Sequence, residues 1–397
     1  MSDVNPKRLG DLITLKRGYD LPEKDRIDGE FPVISSSGIS GYHNDFKVEG
    51  EGVITGRYGT LGKMYFVDGK YWPHNTALYV KDFKGNDPKY IYYLLSCIGR
   101  IRTSDKSAVP GVNRNELHEM AVPAIEDKQS QIAVRNLLWA IEEKIDLNNK
   151  INAELEAMAK LIYDYWFVQF DFPDANGNPY KSSTGKMVYS EELKREIPEG
   201  WSAGTLNDLG QIVGGSTPST TVSTNFCENG TPWITPKDLS KNVGNKFISR
   251  GEQNVSDAGI KSASLKVYPK GTVLMSSRAP IGYLAIARNS LTTNQGFKSF
   301  IPNKGFSSNF IFYTAKHVMK AIVQYSSGST FKEVSGSTLK TVKVCLPTAT
   351  IIELFTNRME SIAERQSLAE LENQKLIQLR DWLLPMLMNG QVSISNS

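Results

Sequence analysis

The sequence predicts an α+β protein in which two globular, mixed and β-rich domains alternate with two long helices that pair as an antiparallel coiled coil, with pseudo-twofold symmetry. Three observations predict this fold class. The chain of 397 residues is long enough for two or three domains. Its second half repeats its first, and each half ends in a stretch whose apolar residues recur at alternating steps of four and three.

The internal repeat is visible as matched residues at a drifting offset. Leu9, Asp11, Leu12 and Gly18 return 197 residues later as Leu206, Asp208, Leu209 and Gly215, and further along Arg57 matches Arg278 and Asn75 matches Asn294. In the helical stretches the offset stays at 221, which pairs Leu138 with Met359 and Asn152 with Asn373. Insertions were therefore tolerated only in the first part of each copy, and we infer a variable domain followed by a rigid helix, present twice.

The repeat divides the chain into six segments. They are a first globular domain (1–125), a central long helix (126–170), a connector (171–200), a second globular domain (201–348), a C-terminal long helix (349–390) and a tail (391–397). Both globular domains contain short β-branched and aromatic runs between Gly, Asn, Ser and Pro, which is typical of small twisted sheets. Short helices are predicted at 88–101 and 309–324. The connector is rich in Pro, Gly, Asn and Ser, so we expect it to be flexible in part.

The two long helices each contain an apolar seam with about 3.5 residues per turn. The seam residues are Val134, Leu138, Ile141, Ile145, Asn148, Asn152, Leu155, Ala159 and Ile162, and then Phe355, Met359, Ile362, Gln366, Ala369, Asn373, Leu376 and Leu383. Such helices cannot bury their seams alone, so they are expected to pair with each other. Asn152 and Asn373 would fix the register of the coiled coil; the alternative is that both are polar positions tolerated near a wet helix end.

Composition excludes several classes of protein. Hydrophobic residues make up 40% of the chain and charged residues 22%. The sequence contains no run of about 18 apolar residues, so no membrane span is predicted. The three cysteines (Cys97, Cys227 and Cys345) are odd in number and far apart, which predicts a reduced, cytoplasmic chain. The four histidines are scattered without local zinc spacing, so no metal site is expected.

The charge is concentrated in one segment. The net charge of the chain is +4, yet residues 200–349 hold 16 Lys and Arg against 6 Asp and Glu, whereas residues 126–199 hold 9 against 14. A domain at +10 favours a polyanionic partner, because phosphates are bound largely through Lys and Arg. The alternative is a basic surface that only keeps the domain soluble.

Motifs for catalysis are incomplete. Gly56–Met64 has one residue too many for a phosphate-binding P-loop, and 178–180 has one proline where an amino-methyltransferase motif has two. Pro173, Asp174, Glu192 and Lys194 approach the spacing of a magnesium-dependent nuclease, but they lie in a loop-like stretch without strands to position them. The sequence therefore favours recognition over catalysis, and no catalytic residue is assigned.

Candidate DNA contacts fall in the globular domains. Arg57 and Arg278 lie in Gly- and Ser-rich turns that suit a guanine edge or a phosphate, and Asn75, Asn294 and Gln295 have the amide geometry that suits adenine. The candidate phosphate contacts are Lys63, Lys237, Lys241, Lys246, Lys261, Lys266 and Lys298. The alternative for the Arg and Asn residues is structural, with a guanidinium that holds a turn and an amide that caps the backbone.

Several of these features together resemble the specificity subunit of type I restriction-modification enzymes. They are the alternation of variable domains and helices, a seam Asn followed by Leu (Asn152 and Leu155; Asn373 and Leu376), the aromatic helix end Tyr165, Trp166 and Phe167, and Ile197–Trp201 at the start of the second copy. The resemblance covers essentially the whole chain, and the architecture is more specific than any single motif. The first copy has no equivalent of Ile197–Trp201, so its first strand is expected to be shorter.

The resemblance implies a function. Each globular domain would be a target recognition domain that binds one half of a bipartite site in double-stranded DNA, and the helices would set the spacer between the halves. The helices would also dock two methylation subunits, which bind S-adenosylmethionine and modify adenine, and through them restriction and translocation subunits that use ATP and Mg. This chain would bind no cofactor itself. The remaining apolar helix positions would be partner surface; the alternative is ordinary solvated faces plus a slightly wide seam. These positions are Leu137, Leu147, Met158, Leu161, Trp382 and Leu384.

Other functions stay open at this stage. A stand-alone, sequence-specific DNA-binding regulator would suit the same basic domain. A nuclease would need magnesium-dependent cleavage through residues 173–194. A scaffold unrelated to DNA is hard to reconcile with the charge of +10 in residues 200–349.

Overall fold

The computed structural model describes residues 4–56, 63–98, 113–278, 280–326 and 333–394. The chain divides into two compact units, one of residues 1–146 with 374–397 (unit 1) and one of residues 147–373 (unit 2). Each unit therefore contains one globular domain and part of both long helices. No helix among the described residues combines the length and apolar character needed to cross a membrane.

The described residues of unit 1 form three sheets and several helices. Its strands are β1 (Val4–Arg8), β2 (Thr14–Arg17), β3 (Phe31–Ser35), β4 (Gly38–His43), β5 (Val48–Glu49), β6 (Gly52–Gly56), β7 (Met64–Val67), β8 (Lys70–Pro73), β9 (Ala77–Asp82) and β10 (Ala121–Ile125). Its helices are α1 (Leu9–Leu12), α2 (Pro88–Ile98), α3 (Arg114–Glu119) and the first half of α4 (Lys128–Tyr163), with a 3₁₀ turn at Glu23–Asp25. The sheets have the strand orders β2-β9-β6-β7, β4-β3-β8-β5 and β1-β10.

Unit 2 has a similar set of elements. Its strands are β11 (Met187–Ser190), β12 (Arg195–Pro198), β13 (Ser202–Thr205), β14 (Gln211–Gly214), β15 (Phe226–Ile234), β16 (Phe247–Ile248), β17 (Gln253–Val255), β18 (Val273–Met275), β19 (Leu284–Ala287), β20 (Thr292–Thr293), β21 (Lys298–Ile301) and β22 (Lys343–Leu346). Its helices are α5 (Leu206–Leu209), α6 (Pro236–Lys241), α7 (Asp257–Ser262), α8 (Ser308–His317), α9 (Met319–Gln324), α10 (Gly336–Leu339) and most of α11 (Ala349–Met388), with a π-helical turn at Asp164–Val168 and a 3₁₀ turn at Ser223–Asn225.

The topology repeats between the units, which confirms the duplication. The sheet order β2-β9-β6-β7 in unit 1 corresponds to β14-β21-β18-β19 in unit 2, where β16 adds a fifth strand. The order β4-β3-β8 corresponds to β17-β15-β20, and in both cases the second pair is parallel and the first antiparallel. In both copies the strand before the long helix pairs antiparallel with the first strand of the domain, as β1-β10 and β13-β22.

The strand register corrects one match made from the sequence. Ile34 pairs with Pro73 in unit 1 and Ile234 with Thr293 in unit 2. The next amide, His74 N, donates to Ile34 O at 2.8 Å, and Asn294 N donates to Ile234 O at 3.0 Å. Asn294 is thus the equivalent of His74, and Gln295 is the equivalent of Asn75. The match of Asn75 with Asn294 is wrong by one residue.

The repeated glycines Gly18 and Gly215 have a common physical cause. A Cβ atom at Gly18 would lie 2.2 Å from His74 O, and one at Gly215 would lie 2.1 Å from Thr293 O. Both distances are far below van der Waals contact, so only glycine lets the chain after β2 and β14 approach the backbone that follows β8 and β20.

The long helices pair antiparallel in both units, as predicted. In unit 1 Arg380 forms an ion pair with Glu142 at 3.7 Å, and Leu384 and Leu387 pack in one core with Val134 and Leu138. In unit 2 Asn373 contacts Asn148, and Gln366 donates to Glu156 at 3.4 Å. The helices have 36 and 40 residues, which corresponds to about 54 and 60 Å at 1.5 Å per residue.

Three expectations about the elements need correction. Residues 171–200 contain the hairpin β11-β12, and Phe172 stacks between Tyr180 and Trp201 with ring centroids 4.6 and 5.0 Å away, so the expected flexible connector is an ordered part of unit 2. β1 has five residues and β13 has four, so the first strand is not the shorter one. Leu384 is only 7% exposed, because the helix pair closes around it after Arg380 interrupts the seam.

Candidate nucleic-acid interface

The exposed lysines of α6 form the first candidate contact. Thr235 and Asp238 form a capping box and Pro236 lies in the first turn, so the sequence fixes where this helix begins. Lys237 and Lys241 lie one turn apart and both contact the Glu252 carboxylate, Lys237 at 3.0 Å. The hydrogen bonds from Lys241 and Lys237 lower the pKa of Glu252. One carboxylate between two ammonium groups leaves a net positive charge, and exposed pairs of this kind are weak enough to exchange for phosphate.

Lys246 is not part of this surface. Its side chain is buried, with only 5% of the residue exposed, and its Nζ donates to Tyr313 Oη at 3.0 Å and to Gln366 Oε1 at 3.5 Å. Burial lowers the pKa of Lys246 to about 8, although the Glu156 carboxylate opposes this shift. The predicted phosphate contact at Lys246 is therefore wrong, because an ammonium group held inside unit 2 cannot reach a duplex.

The surroundings of Lys246 attach the second globular domain to the long helices. Its backbone amide donates to Glu370 Oε1 at 2.7 Å, and the amide of Phe247 donates to Glu370 Oε2 at 3.2 Å. Arg288 forms an ion pair with the same carboxylate, and both side chains are buried. Tyr313 Oη donates to Glu156 on α4 at 2.7 Å. The loop before β16 is thus held by side chains of both helices, which makes Lys246 and Glu370 positioning residues.

Three other candidate lysines are exposed. Lys261 lies on α7, Lys266 lies in the loop after it, and Lys63 lies directly before β7. None of these three ammonium groups has an ion-pair partner among the described residues. They are available to phosphate, and Lys261 and Lys266 lie in the strongly basic segment.

The two candidate arginines have different outcomes. Arg278 is half-buried, pairs with Glu333 in an isolated β-bridge, and has its guanidinium 3.8 Å from the Glu333 carboxylate. Arg57 lies outside the described residues. The structural interpretation, a guanidinium that holds a turn, suits the surroundings of Arg278.

The candidate amide side chains also differ in their hydrogen-bond partners. Asn294 Oδ1 accepts from the amide of Gly296 at 2.9 Å, so this side chain caps the backbone of a turn. Asn75 and Gln295 instead make side-chain contacts near the surface: Asn75 Nδ2 donates to Asp20 Oδ1, and the Thr217 hydroxyl donates to Gln295 Oε1. Lys298 lies opposite Gly214 in the β14-β21 ladder.

The contacts of Asn75 and Gln295 identify residues that sequence reasoning missed. Asp20 and Thr217 are separated by the same 197 residues as Gly18 and Gly215, so the repeat itself contained the signal. The sequence alone predicts a role for neither residue, because their side chains differ and no motif includes them.

The seam asparagines form a polar layer in unit 2. Asn148 Nδ2 donates to Asn373 Oδ1 at 2.9 Å, and Asn373 Nδ2 donates to Asn149 Oδ1 at 2.8 Å. Asn152 is buried, and its Oδ1 has no hydrogen-bond partner among the described residues. The contacts suit a register role for Asn373 with Asn148, whereas the register role predicted for Asn152 has no support from a hydrogen bond to its Oδ1.

Apolar side chains on the outer faces of the helices are exposed. Five of the six positions named from the sequence belong to this group: Leu137, Leu147, Met158, Leu161 and Trp382. Four further exposed positions lie on α11: Leu354, Leu368, Ile377 and Leu379. Leu161, Leu368 and Trp382 are the most exposed of them.

The described residues contain no group of three or more His, Cys, Asp or Glu side chains placed to hold a metal ion. In the segment with nuclease-like spacing, Asp174 Oδ1 accepts from the amides of Asn176 and Asn178 at 2.8 Å, which makes it the cap of a turn. Lys194 pairs with Glu191 at the surface. These contacts give the segment a structural role.

The fold and the paired helices correspond to a known protein family. A family model described as "Type I restriction modification DNA specificity domain" matches residues 1–157 and 198–378. The chain belongs to this family, whose members are the non-catalytic specificity components of type I restriction-modification enzymes.

Individual relatives agree with this assignment. The MjaIX type I restriction enzyme specificity subunit of Methanocaldococcus jannaschii is 40% identical over 212 residues, and the HindI specificity subunit of Haemophilus influenzae is 27% identical over 317 residues. The first match covers 50% of this chain and 48% of the relative, and the second covers 68% of each. The chain thus spans about half the length of the first relative. A crystal structure of a type I S subunit from M. genitalium superposes with a TM-score of 0.62 at 14% identity over 97% of this chain and 96% of that one, which supports the fold.

Proposed function

We propose that this chain directs a type I restriction-modification complex to its DNA site. Each recognition domain binds one half of a bipartite sequence in double-stranded DNA, and the long helices set the spacer between the halves. The observation that carries the proposal is the repeated topology, in which each copy of the domain ends in one helix of an antiparallel pair. Two domains of one topology and different loops suit two half-sites of different sequence.

The catalytic chemistry belongs to partner subunits in this proposal. Two methylation subunits bind S-adenosylmethionine, and restriction and translocation subunits bind ATP and Mg, while this chain binds no cofactor. The exposed apolar side chains of α4 and α11 supply the docking surface, because their burial by a partner would remove large apolar area from water. Leu161 is one of the most exposed of these positions, so Leu161→Glu should weaken co-purification with the methylation subunit while DNA half-site preference stays unchanged.

The test is the pattern of methylated adenine in host DNA with and without this chain. Replacement of residues 1–125 by a different recognition domain should alter one half of the methylated site and leave the other half as it was. A change in both halves would contradict the assignment of one half-site to each domain. Binding of the bipartite site without any dependence of methylation on this chain would favour the stand-alone regulator.

A further inference from the structure

Both units contain a small polar cluster at the same place in the topology. The first cluster consists of Arg17, Asp20 and Asn75, and the second consists of Thr217, Gln295 and Lys298. Asp20 and Thr217 follow the equivalent strands β2 and β14, and Asn75 and Gln295 follow the equivalent strands β8 and β20. No residue type is shared between equivalent positions, yet each cluster contains a side-chain amide that is hydrogen-bonded to the third residue after β2 or β14.

The cation of each cluster comes from one cross-strand pair. Arg17 on β2 pairs with Leu78 on β9, and the equivalent pair in unit 2 is Gly214 on β14 with Lys298 on β21. The positive charge has therefore moved from one strand of the equivalent pair to the other. A cation retained in this way, at exposed or half-buried positions, suits contact with a polyanion better than a role in the fold.

The first cluster presents mainly acceptors. Asn75 Nδ2 donates to Asp20 Oδ1, which orients the carboxylate, and Arg17 Nε donates to the backbone carbonyl oxygen of Asn75 at 3.3 Å. The Arg17 guanidinium lies 3.9 Å from Asp20 Oδ1, and the two side chains are 55% and 74% exposed. Asp20 Oδ2 and Asn75 Oδ1 have no hydrogen-bond partner within the described part of the chain. Two acceptor oxygens thus face solvent, and Arg17 offsets the charge of the carboxylate.

The second cluster presents a donor and an acceptor together. The Thr217 hydroxyl donates to Gln295 Oε1 and fixes the plane of the amide. Gln295 is exposed, and its Nε2 makes no hydrogen bond to any described residue. The amide therefore keeps two N–H donors and a remaining lone pair on Oε1. This is the arrangement that pairs with the N7 and N6 atoms of adenine, whereas a carboxylate accepts from the N4 amino group of cytosine.

We propose that the two clusters are base-reading sites of opposite preference. Asp20, oriented by Asn75, accepts from the exocyclic amino group of a cytosine in the half-site of unit 1. Gln295, oriented by Thr217, pairs with an adenine in the half-site of unit 2. Arg17 and Lys298 provide the adjacent positive charge. This inference rests on the proposed function, since it requires that each recognition domain binds DNA.

The experiment is a selection from a library of randomised duplexes with the full-length chain and its methylation subunit. Wild type should enrich a bipartite site. Asp20→Asn, which exchanges an acceptor oxygen for a donor, should lose the preference for one cytosine in one half-site by roughly 5- to 150-fold, the range of a good base contact. Gln295→Leu should lose the preference for one adenine in the other half-site by a similar factor. Thr217→Val, which removes only the orienting hydroxyl, should weaken the same adenine preference by less.

The unaltered half-site serves as the control for folding in each variant. Lys181→Gln, at an exposed residue far along the chain from both clusters, should leave both halves unchanged. If wild type enriches a bipartite site and the Asp20 and Gln295 variants enrich the same bases, the inference is overturned and the proposed function stands. Loss of both halves in one variant also overturns it, because each cluster lies within one unit. If wild type enriches no bipartite site, the proposed function itself fails.

Discussion

At the scale of single residues, burial decides which of two similar lysine side chains can bind phosphate. Lys241 and Lys246 lie five residues apart in a basic segment, and charge alone predicts both as phosphate contacts. Lys241 is exposed and shares Glu252 with Lys237, whereas Lys246 lies inside unit 2 between Tyr313 and Gln366. Charge along a sequence says how many cations a domain has, but it does not say which of them reach the surface.

The lowered pKa of Lys246 predicts a pH dependence of stability. The side chain loses its proton near pH 8 in the folded protein and near 10.5 when unfolded. Between these values the unfolded state binds more protons, so the free energy of unfolding should rise with pH, with a slope that approaches about 1.4 kcal/mol per pH unit. Denaturant unfolding of wild type and Lys246→Met from pH 8 to 10 measures this, and the variant should lack the rise. Equal slopes would show that the ammonium is not perturbed.

The exposed lysines predict a salt dependence of DNA binding. The triple variant Lys237→Gln, Lys261→Gln and Lys266→Gln should reduce the slope of log affinity against log salt by about 2.7, since each phosphate contact contributes about 0.9. The matched control neutralises Lys181, Lys186 and Lys194, which lie in and before the β11-β12 hairpin. An equal loss of slope in both triple variants would mean that only overall charge matters.

At the scale of elements, the helices and strands were largely predictable. The 3.5-residue period predicts the paired helices, and the seam residues Val134, Leu138, Phe355 and Met359 are indeed buried. The alternation of apolar runs and turn residues predicts small twisted sheets in both domains, and β3, β6 and β18 are strands of such sheets. The order of the segment that contains β11 and β12 is not predictable from the sequence. Phe172, Tyr180 and Trp201 are irregularly spaced and form an aromatic stack only when the chain folds.

The seam asparagines predict opposite effects on helix pairing. Asn152→Leu should raise the free energy of unfolding by about 1 kcal/mol, because it removes a buried Oδ1 without a partner in the described part of the structure. Asn373→Leu should lower it by about 1–3 kcal/mol, because Asn148 and Asn149 lose their partner. Thermal or denaturant unfolding of the two variants gives the comparison. Destabilisation of both by the same amount would contradict the assignment of the polar layer to Asn373.

At the scale of the whole molecule, the proposed function predicts that helix length sets the spacer. Insertion of seven residues, two turns, after Ile145 together with seven after Asn373 should keep the antiparallel pairs in register on both sides. The insertion adds about 10.5 Å of helix, or about three base pairs of DNA. Sequencing of methylated adenine should then show a longer spacer between unchanged half-sites.

Two controls make the spacer experiment decisive. Insertion into α4 alone should disrupt the pairing of Asn148 with Asn373 and lower stability. Insertion of seven residues into the tail, within residues 391–397, should change neither spacer nor half-sites. An unchanged spacer in the double insertion, with both half-sites still methylated, would show that the helices do not measure the distance.

The sequence by itself determined the duplication, the alternation of sheets and helices, and the seam, because hydrophobic periodicity and matched residues are local or repeated signals. Only the tertiary structure decided which cations are exposed, that Gln295 rather than Asn294 is the equivalent of Asn75, and that Asn373 pairs with Asn148. Each of these depends on the register of strands or helices that are distant in sequence. A shift of one residue reverses the face to which a side chain points, and no local pattern fixes it.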